Sequence, residues 1–330
     1  MKLDAKNRKR YADRFRYFAS NMGMYFLPDR IADLPWSRTQ ARLTDAERDE
    51  IARRAAYCVK LPDGAEVPSG DAFVTGKFKF PFFARHHHSS YFFDIYPHLR
   101  MMPEGMRFLY MAEDVDWDLP APTFVKSRPV TEGPSMSAIC RMDSIRHFRF
   151  IEDVVPYDRK SDIVVSRNEV RNQPWRSRLL EMYCGDPRFD FGQVNTDAGR
   201  PEWVRPFMSI DEQLGHKFIM CIRGHDVATN LKWVMSSNSI AVMPRPDVES
   251  WYMEGLLQGG VHYIEIKPDY SDLPERIDYY LSHPEEAREI IENAHRWVDR
   301  FRDTRIEQQV MREAVRHYFI QTGQMNQDMP

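Results

Sequence analysis

KFIMCIRGHDVATNLKWVMSSNSIAVMP, residues 217–244, decides the fold class. Residues 217–222 form an apolar run that stops at Arg223-Gly224-His225-Asp226. Thr229–Met235 then reads as a helix and SIAVMP (239–244) as a second strand. Strands alternating with helices predict a parallel sheet covered by helices on both faces.

The alternation extends both ways. Upstream, SDIVV (161–165) is a short β-branched run, and a helix opens at Pro174 and runs to Tyr183. Phe189–Val194 reads as a strand, and Ser209 with Glu212 forms a capping box for a helix ending near Leu214. Downstream come an expected helix, Glu249–Leu257, a strand, HYIEIK (262–267), and helices Leu273–Leu281 and Pro284–Phe301, with Pro284 at the favoured first helical position. A last helix, about 305–321, presents Ile306, Val310, Ala314 and Phe319.

The N-terminal part is less regular. Tyr11, Phe15, Phe18, Met22 and Tyr25 recur at spacings of four and three, which predicts a helix over about 4–26 with Lys6, Arg8, Lys9, Arg10, Arg14 and Arg16 around the rest of it. Such a helix suits an anionic membrane surface, or docks on its own domain or a second subunit. Thr44 and Glu47 form a capping box for a helix over Leu43–Ala56. His86, His87 and His88 are adjacent, a spacing that suits a surface turn or acceptor-cleft loop better than a metal site.

With 46 Lys+Arg against 49 Asp+Glu, the net charge of −3 lacks the basic excess of a dedicated nucleic-acid binder. At roughly 150 residues per domain, 330 residues suggest about two domains. Cys58, Cys140, Cys184 and Cys221 are scattered without metal-finger spacing and read as reduced thiols. Neither a secretory signal nor a membrane-spanning run is evident, so the expected location is cytoplasmic.

Two groups of residues can carry chemistry. Arg223 and Gly224 lie at a strand end before a helix containing Asn230 and Lys232, and Arg167 follows strand 161–165 with Arg171, Arg176 and Arg178 behind it. Basic strand ends in an open α/β sheet suit a diphosphate, although arginines there also serve as surface salt-bridge partners. Glu113, Asp114, Asp116 and Asp118 follow the apolar segment Phe108–Met111 and could supply a general base, bind a metal, or form a solvated turn. No GxSxG elbow, P-loop or GxGxxG fingerprint is present.

Longer blocks carry a resemblance: FVKSRPV (124–130), RHFRFIEDVVPYDRKSDIVVSR (146–167), IRGHDVATNLKWVMSSNSIAVMPRP (222–246), ESWYMEGLLQGGVHYIEIKPDYSDL (249–273) and NAHRWVDRF (293–301). Over about residues 107–320 the chain resembles glycosyltransferase family 90, most closely its bacterial lipopolysaccharide-modifying branch. The resemblance implies a GT-B fold of two facing Rossmann-like domains. Residues 1–155 would bind the acceptor, 156–302 a UDP-sugar, and helix 303–330 would cross back to the first domain. It implies an inverting, metal-independent transfer of glucose or xylose to a glycan hydroxyl, with no cofactor and no nucleic acid.

By the same resemblance Asp114 would be the base, and Arg167, Arg223, Gly224, Asp226, Asn230, Lys232 and Glu249 would hold the donor, Glu249 at the ribose. Lys126 and Arg128 would line the cleft. A lipid-linked acceptor would give helix 4–26 a purpose at the inner face of the membrane. Two departures stand out: Ser166-Arg167-Asn168 replaces the family's Trp-Arg-Gly pattern, and Asn230 stands where animal relatives have arginine. A non-catalytic nucleotide-sugar-binding relative is the rival reading, and a glycoside hydrolase a weaker one.

Overall fold

The structure, a computed structural model, describes residues 5–80 and 89–327. The chain divides into two compact units, Met1–His147 with Asp303–Pro330, and Phe148–Arg302.

The first unit holds helices α1 (Ala5–Phe26), α2 (Asp45–Cys58) and α3 (Ser89–Leu99) and strands β1 (Phe73–Val74), β2 (Arg107–Tyr110), β3 (Thr123–Val125) and β4 (Ser137–Ile139). The sheet runs β1-β2-β3-β4; the last three strands are parallel and β1 is antiparallel. α2 starts where the sequence expects: Thr44 Oγ1 accepts from the Glu47 amide at 3.2 Å, and Glu47 returns the bond by accepting from the Thr44 amide at 2.8 Å. The C-terminal helix, Thr304–Gln321, packs on α2, and the buried Arg54–Glu307 pair joins them at 2.6 Å. The Tyr318 ring lies 4.0 Å from that of Phe124, and the Tyr318 hydroxyl donates to the Pro122 carbonyl at 2.8 Å.

The second unit is a five-stranded parallel sheet of β5 (Ser161–Asn168), β6 (Phe189–Gln193), β7 (His216–Met220), β8 (Ile240–Pro244) and β9 (Ile264–Ile266), ordered β9-β8-β7-β5-β6. Val164 and Val165, Phe218 to Met220 and Ile240 to Met243 are buried without alternation, as a parallel sheet covered on both faces requires. Helices α4 (Pro174–Tyr183), α5 (Leu231–Met235), α6 (Leu273–Ser282) and α7 (Pro284–Asp299) complete the unit, with Pro284 at the start of α7. Strand order reverses between β5 and β7, so a crevice for ligands is expected at the carboxyl ends there.

Three expectations need correction. Residues 249–257 are not a helix: strand Val248–Ser250 is followed by a single 3₁₀ turn, Glu254–Leu256, because Met253 takes a left-handed backbone (φ 56°) that stops helix propagation. Strand β5 runs three residues beyond 165, so Arg167 lies inside it rather than after it. Helix α5 begins only at Leu231. His86–His88 lie outside the described residues.

All four cysteines are free thiols, and only Cys184 is not buried. Among the described residues no helix is long and apolar enough to cross a membrane, and no cluster has the makings of a metal site.

Candidate active site

In the second unit the carboxyl ends of β7, β8 and β9 open into a cavity of about 300 Å³. Trp175, from the helix after β5, and Arg223, from the loop after β7, meet at its wall. The Arg223 guanidinium stacks on the Trp175 ring at 4.4 Å, its Nε lies 3.2 Å from Asp247, and Nη1 donates to the His225 carbonyl at 2.9 Å. That loop is fixed from below. Trp175 Nε1 and Arg176 Nε both donate to the Arg223 carbonyl, at 3.0 and 3.1 Å, while Arg176 Nη2 and Nη1 donate to the carbonyls of Ile222 and Glu169. Burial lowers the Arg176 guanidinium to about 10, still protonated at neutral pH.

The cavity therefore sets two arginines, Arg223 and Arg245, beside a flat aromatic face, the chemistry that accepts a phosphate next to a planar ring, with Asp226, Asp247 and Glu254 on the same lining. Of these, Asp226 is buried and Arg245 exposed. Gly224 has ordinary backbone geometry, and a Cβ there would sit 3.5 Å from Arg176 Nη2, so the chain's own packing does not demand glycine.

Other expected donor residues lie elsewhere. Arg167 clasps Asp190 of β6 with two bonds, 2.8 and 2.9 Å, and donates to the Pro206 carbonyl at 3.1 Å; it does not line the cavity. Lys232 is fully buried, with Nζ 2.5 Å from Glu254 Oε1, because a buried carboxylate needs a counter-charge. Glu254, not Lys232, faces the cavity, and the Ser250 amide and hydroxyl also donate to it, at 2.6 and 2.9 Å. Asn230 Nδ2 turns inward and donates to the Met220 carbonyl at the end of β7. Glu249 is fully buried in strand Val248–Ser250 and is not part of the cavity wall.

Sequence reading missed Trp175, Arg245, Glu254 and Tyr270, all on the wall. Arg245 follows strand 239–244 directly, so the strand-end rule that found Arg223 would have found it.

In the first unit, parallel neighbours β2 and β3 bring Asp114 and Lys126 together beyond their carboxyl ends. Lys126 Nζ is ion-paired with Asp114 Oδ1, and Nζ lies 3.5 Å from His147 Nε2. The Tyr91 hydroxyl donates to Asp114 at 3.4 Å, and the Val115 amide donates to Ser127 Oγ at 3.1 Å, which pins the loop. Glu113, Asp116 and Asp118 are exposed, whereas Asp114 is half-buried. Asp143 supports the cluster from a left-handed backbone (φ 54°); it accepts from Ser90 Oγ at 2.8 Å and lies 3.9 Å from His147 Nε2. Burial raises the Asp143 carboxyl above its usual range.

Arg128 takes a different part from the one expected. Its buried guanidinium donates to the carbonyls of Tyr57, Cys58 and Ser137, tying α2 to β4.

Both units thus place polar groups beyond the carboxyl ends of parallel strands, and the second adds an aromatic-walled cavity lined by both arginines and carboxylates. Comparison with known proteins agrees with a sugar-transferring enzyme. Residues 154–321 match the model for "Glycosyl transferase family 90". Over 219 residues the chain is 40% identical to the O-glucosyltransferase LpsA of Dichelobacter nodosus, covering 66% of this chain and 69% of that protein. It is also 25% identical over 227 residues to the uncharacterized protein 027R of Frog virus 3 (isolate Goorha), covering 63% of this chain but 22% of the viral protein. The chain belongs to glycosyltransferase family 90. It is a glycosyltransferase, passing a sugar from a donor to an acceptor.

Proposed function

We propose that this enzyme moves a sugar, glucose or a closely similar one, from a UDP-sugar to a hydroxyl of a surface glycan such as lipopolysaccharide, with inversion at the anomeric carbon and without a metal. The name of the Dichelobacter relative supports a glucosyl donor. We further propose that the two units act as the halves of a GT-B enzyme in the cytoplasm.

The observation that carries the reading is the cavity where Arg223 stacks on Trp175. Uracil would lie against the aromatic wall. The diphosphate would meet Arg223 and Arg245 and the bare backbone at Gly224, and these charges would stabilise the departing UDP as the glycosidic bond breaks. Asp226 and Glu254, on the same wall, would take sugar hydroxyls. Asp114 would accept the proton of the attacking hydroxyl, with Lys126 fixing its orientation.

Thermal shift and UDP release, measured with UDP, UDP-glucose and other nucleotides, test this directly. Stabilisation by UDP, with turnover once a saccharide acceptor is added, is expected. No stabilisation at millimolar UDP overturns the donor assignment.

A further inference from the structure

Helix α1 uses only part of its surface on its own unit. Tyr17 donates to Asp94 at 2.6 Å and to the Ser90 carbonyl at 3.1 Å, while Phe18 meets Phe93 and Tyr25 meets Tyr96 at ring distances of 6.2 and 5.0 Å. The outer edge carries Tyr11, Phe15 and Phe26, exposed by 60%, 77% and 68%. The chain then continues through Ile31 and Leu34, 50% and 46% exposed, into helix Leu34–Gln40. With Met24, six large apolar side chains within 24 positions are thus left in water, more than scattered surface residues explain.

Charge says what covers them. Arg14, Arg16, Arg30, Arg38 and Arg42 are exposed in the same segment, and the sequence adds Lys6, Arg8, Lys9 and Arg10 to the same helix. Three acids oppose them, and each is already engaged: Asp13 lies 3.6 Å from Arg16, while Asp29 and Asp33 pair with Arg100 and Arg312 from elsewhere in the unit. A second copy of this chain in a two-fold contact would set like charges against each other. An anionic bilayer offers the opposite charge and an apolar boundary for the aromatic ridge.

We infer that residues 11–42 form an interfacial docking surface for anionic phospholipid, with Phe15, Phe26, Ile31 and Leu34 entering the headgroup boundary and the arginines resting on lipid phosphates. Its purpose rests on the proposal of a lipid-borne acceptor, but the docking is measurable without donor or acceptor.

Flotation of the full-length protein with phosphatidylglycerol/phosphatidylcholine vesicles and with pure phosphatidylcholine vesicles is the test. Binding to the anionic vesicles alone, weakened by salt, is expected. Phe15→Ser/Phe26→Ser/Leu34→Ser and Arg14→Glu/Arg30→Glu/Arg38→Glu should each cut partitioning at least about tenfold, with the UDP-induced thermal shift and turnover on a soluble saccharide unchanged. Binding to neither vesicle, equal binding to both, or a dimer by light scattering that the serine variant abolishes would each overturn the inference. Loss of the UDP shift in the unmodified protein would count against the donor site instead.

Discussion

Asp114 and Lys126 stand twelve positions apart, and the parallel pairing of β2 with β3 closes them into an ion pair. Lys126 and the Tyr91 hydroxyl together fix the orientation of this carboxylate. Asp114→Asn is expected to lower turnover about 10²–10⁴-fold while leaving UDP stabilisation intact. Full turnover in this variant would remove Asp114 from the reaction.

At the cavity, Arg223→Ala and Trp175→Ala should each weaken UDP at least about tenfold by titration calorimetry. Arg167→Ala should leave UDP affinity unchanged and lower stability instead, because Arg167 is bound to Asp190 away from the cavity wall. A loss of UDP affinity in the Arg167 variant would return that residue to the donor site.

Lys232 and Glu254 make a sharper comparison. Lys232→Met strands a buried carboxylate and should cost about 3–5 kcal/mol in urea unfolding. Lys232→Met with Glu254→Gln should recover much of that loss. A stable single variant with weak UDP binding would instead mean that the lysine contacts ligand.

The Asp94 carboxyl is raised by burial from 3.8 to about 6, against the bonds it accepts from Tyr17 and Ser144. The folded protein therefore keeps this proton to higher pH than the unfolded chain does. Its contribution to stability is fullest below about pH 4 and is lost as pH rises to about 6, a change of roughly 3 kcal/mol. The difference in unfolding free energy between wild type and Asp94→Asn should fall across that window; a difference flat with pH refutes the assignment.

What could be read in advance was what neighbours along the chain determine. The capping boxes of Thr44 with Glu47 and Ser209 with Glu212 form as expected, since each closes within three residues. Most strands and helices from 161 to 299 follow the apolar periodicity for the same reason, the expected helix over 249–257 being the exception. The misreadings lie where distant partners decide. Lys232 looked like a phosphate ligand until Glu254, 22 residues on, claimed its charge. Arg167 reaches Asp190, 23 residues away on the next strand. Trp175 gained its place only because β5 and β7 are neighbours in space.

The first unit is assembled from both ends of the chain, with Glu307 sealed against Arg54, whereas the second is a continuous stretch. During synthesis, residues 148–302 can therefore finish folding while the first unit still waits for its last helix. Until that helix leaves the ribosome, the apolar side of α2 has no cover. Damage near position 307 should consequently surface as aggregation of the N-terminal portion, at the far end of the gene from the lesion.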